Sequence, residues 1–294
     1  MTAPRVVVVG DVCADVVALL AGDPAPGSDR PAAIATRGGG AGANVAAHLA
    51  ALGTPVVLAA CVGDDLPGQA LCRDLVDAGV TLAVRTVPGS PTGTIISLVE
   101  PGGERSMLAD RGANLALQPD DVPIPAPGSH LHLSGYTLLG AGPRAAGLAA
   151  MAAARAAGCT VSVDPASTGP LTAYGVDRWL ADTAAATVLL PNADEARLLT
   201  GCTDPAGAAR ALAGRHPVVV VSLGADGALW AAGDVLVHRP AQPAHVVDTT
   251  GAGDAFTAGV LSVWTGTGGR PDPADALDAG LRRAAIVVGR PGAR

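Results

Sequence analysis

The sequence predicts an α/β fold, a mostly parallel central sheet flanked by helices. Two observations carry that prediction. Short strand-like apolar runs alternate along the chain with alanine-rich stretches of helical length, and strands separated by helices of ~10 to 15 residues join through right-handed crossovers into a parallel sheet covered on both faces. A third observation sets the kind of core: apolar residues make up 49% of the 294 residues but aromatic ones only 2%, so Ala, Val and Leu must fill it.

The alternation begins with VVVVG at 6–10, a strand, and NVAAHLAALG at 44–53, a helix, and VVLAACVG at 56–63 with GQALCRDLVDAG at 68–79 repeats the pair. It resumes with HLHLSGY at 130–136, an Ala/Arg helix over 143–157, TVSVDP at 160–165, ATVLLPN at 186–192 and PVVVVSLG at 217–224. Two stretches break it. Residues 16–37 and 81–112 carry strand and turn signals without a long amphipathic helix, and E-P-G-G-E at 100–104 reads as a turn between two strands. Both are assigned to a small β-sheet forming a lid on a single domain spanning 1–294, with two long surface loops as the alternative.

Composition excludes several classes. The formal net charge is −7 with no basic cluster, so no nucleic-acid partner is expected. No apolar run approaches the ~18 to 20 residues of a membrane span and no signal peptide is evident, which predicts a cytoplasmic protein without a membrane partner. Cys13, Cys61, Cys72, Cys159 and Cys202 form no C-x-x-C pair, against a disulfide framework or a structural zinc site. His130 and His132 share one strand face, but without a third ligand they read as strand residues. All 19 basic residues are arginine, which excludes the lysine-bearing phosphate loop, the protein-kinase strand lysine and any Schiff-base lysine.

The most specific segment is VVDTTGAGDAFTAGVL at 246–261. A strand-like pair ends at Asp248 and Thr249, the small turn Gly251-Ala252-Gly253 follows, and an apolar helix starts near Asp254. Such a turn offers backbone N–H groups at the positive end of a helix, where they can hold phosphoryl oxygens in place of a lysine. An aspartate there, with an unperturbed pKa of about 3.9, is ionised near neutral pH and can accept a hydroxyl proton. As a purely structural residue it would cap the helix, and this segment alone does not decide between the two. GGGAGANVAAHLAALG at 38–53 is a second glycine-rich turn opening a helix, and PNADEARLLTG at 191–201 puts Asn192 and Glu195 one turn apart.

Together these segments resemble, in order and over nearly the whole chain, the ribokinase-like (PfkB) carbohydrate kinases. The signature D-T-x-G-A-G-D matches residues 248–254, implying an anion hole on Gly251, Ala252 and Gly253 with Asp254 as base. GDVCAD at 10–15 and the Gly-Gly…Asn turn resemble the sugar-binding elements, implying substrate contacts from Asp15, Gly39, Gly40 and Asn44. The N-x-x-E motif implies that Asn192 and Glu195 organise magnesium and phosphate through water, and SLGADGAL at 222–229 resembles the nucleotide side, implying Ser222, Gly224 and Gly227. ATP and Mg²⁺ are therefore the implied cofactors. In members that use a monovalent cation, K⁺ among them, Asp248 and Thr250 match part of its ligand set.

Three departures bear on substrate and cation. Ala41 stands where ribokinases proper often carry lysine, Cys13 where they favour Asn, and the chain ends at RPGAR where the family usually continues to a small polar residue. The lid segments contain no aromatic residue to stack on a base, which favours a small sugar-like substrate over a nucleoside; a sugar-acid kinase and a non-catalytic sugar sensor are the other readings. Arg111, in LADRGAN at 108–114, is the one candidate to pair with an acidic substrate group, against a solvated strand-end charge. A homodimer through the lid is the expected assembly.

Overall fold

The computed structural model describes residues 6–23, 27–100 and 105–294. Its elements run β1 (Val6–Val9), β2 (Cys13–Leu20), β3 (Ala32–Gly39), α1 (Ala41–Ala51), β4 (Val56–Gly63), α2 (Leu66–Asp77), β5 (Thr81–Val87), β6 (Gly93–Val99) and β7 (Arg105–Asp110). There follow β8 (His130–Ser134), α3 (Tyr136–Leu139), α4 (Arg144–Ala156), β9 (Thr160–Asp164), α5 (Thr168–Tyr174), α6 (Val176–Thr183), β10 (Val188–Leu189), α7 (Ala193–Thr200) and α8 (Pro205–Ala213). The chain closes with β11 (Val218–Ser222), β12 (Ala228–Ala232), β13 (Val235–Arg239), α9 (Ala252–Gly266) and α10 (Pro273–Val288).

Four consecutive valines form β1, with no polar face, as a strand covered on both sides requires. Val7 and Val9 join a layer with Leu131, Leu133 and Trp179. Val6 and Val8 point the other way, onto Val45 and Leu49 of α1 and Ala258 and Leu261 of α9. The nine-stranded sheet runs β13-β12-β11-β10-β9-β8-β1-β4-β5. It is parallel from β11 to β5, with an antiparallel hairpin, β12 and β13, at one edge. Strand order reverses at β1, which lies between β8 and β4, and ligands in such sheets sit beyond the carboxyl ends of the strands at that point.

A second sheet of four strands has the order β3-β2-β6-β7. The expected lid boundaries need correction, because β5 within 81–112 pairs in parallel with β4 as the last strand of the large sheet. It ends an ordinary strand–helix–strand unit through α2, and only the absence of a following helix made it look detached. The small sheet is instead β2, β3, β6 and β7, beginning at Cys13 rather than residue 16. The turn expected at 100–104 falls largely outside the described residues. At the sheet's root Asn114 acts as a clamp: its Oδ1 accepts from Val12 N–H at 2.9 Å, and its Nδ2 donates to the carbonyls of Val12 and Arg111.

Cross-strand register separates the two faces of this sheet. Asp15 opposes Arg37 and Ile95, on one face; Ala18 opposes Ile34 and Leu98, and Ile96 opposes Leu108, on the other. Ile34 and Leu108 are well exposed there. Behind the large sheet, α9 and α10 touch backbone to backbone, since a Cβ on Gly259 would lie 2.5 Å from the carbonyl oxygen of Ala279. His130 and His132 are buried and hydrogen-bonded to Thr160 and Ser162, with burial holding both rings neutral. Among the described residues no helix is long and apolar enough to cross a membrane.

Candidate active site

A cavity of about 260 Å³ opens at the carboxyl ends of the parallel strands. Chain geometry explains its lining, because Tyr136 follows β8, Asp164 ends β9, Asn192 lies just beyond β10 and Ser222 ends β11. The facing wall comes from the small sheet, through Asp15, Ile95 and Met107, and from the first turn of α1, through Gly40 and Asn44. Gly40 starts α1 at φ 92°, and a Cβ on it would lie 2.4 Å from the Asp11 carbonyl, so glycine is required there. A Cβ on Gly39 would fall on the Asp15 carboxylate. Gly39 thus shapes the site without lining it.

Asp254 sits in the first turn of α9, between these two walls. Gly251 caps that helix at φ 75° with no side-chain cap, leaving the first N–H groups without intrahelical partners. A Cβ on Gly253 would meet nothing within 4 Å, so the turn is open on the cavity side. Asn44 Nδ2 donates to Asp254 Oδ2 at 2.8 Å. Burial, reinforced by Asp164 and Asp15, raises the Asp254 pKa to about 7, against the opposing Asn44 hydrogen bond and Arg294 charge. The surroundings thus hold Asp254 well above the unperturbed value of about 3.9. Asp15 is raised to about 6, again mainly by burial.

Asn192 and Glu195 form a reciprocal capping box at the start of α7, each side chain accepting the other's backbone N–H at 2.9 Å. Burial raises the pKa of Glu195, and the neighbouring Asp164 raises it further; Asp164 is itself raised by burial. Two carboxylates that resist being charged together are a good fit for a divalent cation. Among the described residues no three His, Cys, Asp or Glu side chains converge as a cage, so such an ion would rest on one or two carboxylates, water and phosphate oxygens, the habit of magnesium. Asp248 Oδ1 accepts from the N–H and hydroxyl of Thr250, and Oδ2 from the N–H of Gly292.

Not every expected residue reaches the cavity. Gly224 and Gly227 do not line it, and Gly227, at φ 96°, is explained by the Arg239 carbonyl, 2.0 Å from where a Cβ would stand. Arg111 is neither a cavity residue nor a solvated charge. Its guanidinium forms a two-pronged pair with the buried Asp11, at 3.0 and 2.8 Å, and lies 5.9 Å from the Tyr136 ring centre.

The sequence profile of the pfkB family carbohydrate kinases matches residues 3–294. This chain belongs to that family. It is 36% identical to the ATP-dependent ribose-1-phosphate kinase of Halopiger xanaduensis, over 99% of this chain and 94% of the relative. Among solved structures it is similar to adenosine kinase from Sinorhizobium meliloti, with 25% identity, TM-score 0.88, and 100% and 96% of the two chains covered. It is also similar to a fructokinase double mutant from Vibrio cholerae bound to fructose, ADP and potassium, with 26% identity, TM-score 0.81, and 99% and 94% covered. The carbohydrate kinase is therefore an ATP-dependent phosphotransferase acting on an alcohol group of a sugar or nucleoside.

Several lining residues of this pfkB kinase were not anticipated, among them Tyr136, Asp164 and Ala166. The signal for Asp164 was present in TVSVDP, an acidic residue at the carboxyl end of a buried strand. Ala166 has φ 79°, strained for a residue with a Cβ, and its N–H is held by Asp164 Oδ1 at 2.7 Å. The pairing of Arg111 yields the first prediction. Arg111→Ala should leave KM for a neutral sugar within a few-fold yet cost roughly 2 to 4 kcal/mol of stability, because it strands the Asp11 carboxylate. Urea unfolding beside steady-state kinetics checks both, and a large KM change with intact stability would return Arg111 to the substrate.

Proposed function

We propose that this kinase transfers the γ-phosphoryl group of ATP to a hydroxyl of a small, uncharged sugar, with Asp254 as the base. The observation that carries the proposal is the placement of Asp254, held by Asn44 at the opening of an uncapped helix and facing both walls of the cavity. In this reading Asp15, Gly40 and Asn44 bind the sugar hydroxyls. The attacking hydroxyl gives its proton to Asp254 as the new O–P bond forms and the bond to the ADP oxygen breaks, and the N–H groups of Gly251, Ala252 and Gly253 hold the equatorial oxygens in transit. Asn192, Glu195 and Ser222 lie on the nucleotide side, with Gly224 and Gly227 shaping the turn behind them. Magnesium, when bound near Glu195 and Asp164, supplies charge neutralisation for the phosphates. By likeness to the potassium-bound fructokinase, a monovalent cation beside Asp248 and Thr250 is part of the proposal.

The choice of an uncharged sugar rests on the lining, which carries Asp15, Asp164, Glu195 and Asp254 and no arginine. Carboxylates accept hydrogen bonds from hydroxyls and repel phosphate. A nucleoside is the second reading, favoured by one observation: Tyr136, which lies outside the lid segments, stands in the wall and offers a ring for stacking. The small sheet serves as a lid in this proposal. Its outer face, with Ile34, Ile96 and Leu108 exposed, supports pairing of two lids in a homodimer.

Five expected outcomes test these readings. Purified protein given ATP, magnesium and a panel of sugars, sugar acids and nucleosides should prefer a neutral sugar; its kcat/KM should rise as pH passes through about 7 and the Asp254 carboxylate ionises, and Asp254→Asn should lower turnover at least ~100-fold. Near wild-type turnover in that variant would remove Asp254 as base. Glu195→Gln preserves the capping geometry but should raise the magnesium concentration for half-maximal activity by about 10- to 100-fold, and an unchanged titration would take Glu195 out of the site. Light scattering should find a dimer that Ile34→Asp converts to monomer, whereas a wild-type monomer would end the lid-pairing proposal.

A further inference from the structure

Along one face of α1 the positions Asn44, Ala47, His48 and Ala51 follow one another at helical spacing. Asn44 faces the cavity described above, and the later three line a second one of about 460 Å³, bounded also by α2, α10, the end of β3 and the C-terminal segment. The charged side chains on its wall are Arg37, Arg283 and Arg294, from three separate elements, against the single carboxylate of Asp74. The wall side chains are thus mostly cationic, although Arg294 also lies in the field of Asp15 and Asp254. Among the described residues none of the three arginines lies within ion-pairing distance of a carboxylate, whereas Arg85, Arg111, Arg144, Arg197 and Arg239 all do.

The guanidinium groups are held in place, and one buried donor has no acceptor. Arg283 Nη2 donates to His48 Nδ1 at 2.9 Å, while its Nε is buried without an acceptor. His48 Nε2 donates to the carbonyl of Ala293 at 2.9 Å, fixing the neutral tautomer, and burial together with Arg283 and Arg294 lowers its pKa to about 4. The ring therefore orients Arg283 without adding charge. Arg37 donates to the carbonyl of Pro291. The Arg294 guanidinium packs on Gly38, where a Cβ would stand 2.0 Å from Nη2. A buried guanidinium N–H without an acceptor is costly, and planar forks arriving from several directions match the oxygens of a tetrahedral oxyanion.

We propose that this second cavity binds a dianionic oxyanion, inorganic phosphate or the phosphoryl group of a small metabolite, on Arg37, Arg283 and Arg294. The convergence of three guanidinium groups from separate elements favours an anion with several oxygens over a simple carboxylate. Its position gives it reach, since Arg37 belongs to the small sheet, Arg283 to the helix packed on α9, and the C-terminal segment sends Gly292 N–H to Asp248 just ahead of the anion-hole turn. A bound anion would tie these three parts together. The proposal does not depend on which sugar is phosphorylated.

The test is calorimetric titration of the full-length protein with inorganic phosphate in a phosphate-free buffer at constant ionic strength. Wild type should bind saturably, and Arg37→Gln and Arg283→Gln should each weaken binding by about 10- to 100-fold. Arg37→Gln changes an exposed side chain, so it keeps the test valid if the α10 variant folds poorly. A parallel arm repeats the titration with a phosphorylated pentose: binding that the same two variants weaken identifies the phosphoryl group of a metabolite as the ligand, and no binding identifies free phosphate. No phosphate binding by wild type, or binding that neither variant weakens, as for phosphate lodged in the anion hole of α9, overturns the proposal.

Discussion

The hydrogen bond from Asn44 to Asp254 joins the first turns of α1 and α9, and the rest of the site is arranged around it. These two helices open from glycine-rich turns and pack on the same side of the large sheet, so their amino ends bring two positive dipole ends to one place. A carboxylate placed there would ordinarily be strongly acidic. Burial and the nearby Asp164 and Asp15 work against that, and the balance leaves its pKa near 7. Without Asn44 the balance would tip towards the protonated acid, which cannot accept a proton.

The same tension recurs across the cavity. Asp15, Asp164, Glu195 and Asp254 share a small volume with no arginine on its wall, and each has a raised pKa. Such a cluster resists full ionisation, and in the proposed mechanism hydroxyl donors and magnesium would meet it. Arginine is kept one layer back, on Asp11 and along the second cavity. A chain without lysine has no flexible amine with which to meet phosphate, and the proposed mechanism assigns that work to backbone N–H groups and a metal.

Much of this was legible in the residues. Runs such as VVVV and VVLAACVG can only be buried strands, and the match of residues 248–254 to the family signature located the helix that carries Asp254. What was not legible depended on contacts distant in sequence. TLAVRTV joins the large sheet only because β4 is its neighbour, and Arg111 is explained by Asp11, a hundred residues earlier. Tyr136 and Asp164 are ordinary strand-end residues until the parallel register sets them side by side. The pKa of Asp254 belongs to its surroundings and not to its motif.

The backbone contact at Gly259, where α9 rests against α10 with no room for a methyl group, has a kinetic meaning. A helix seated that tightly, and bonded to α1 through Asn44, has little freedom to move with the ligands. The small sheet, by contrast, joins the body through a narrow root where Cys13 pairs with Gly39 and Gly93 and Asn114 grips the chain beside it. Any swing of that sheet must bend beyond the clamp, and it carries Asp15, Ile95 and Met107 along as one wall. In the proposed mechanism Asp254 is then the fixed partner, and whatever movement brings the substrate to it belongs to the small sheet.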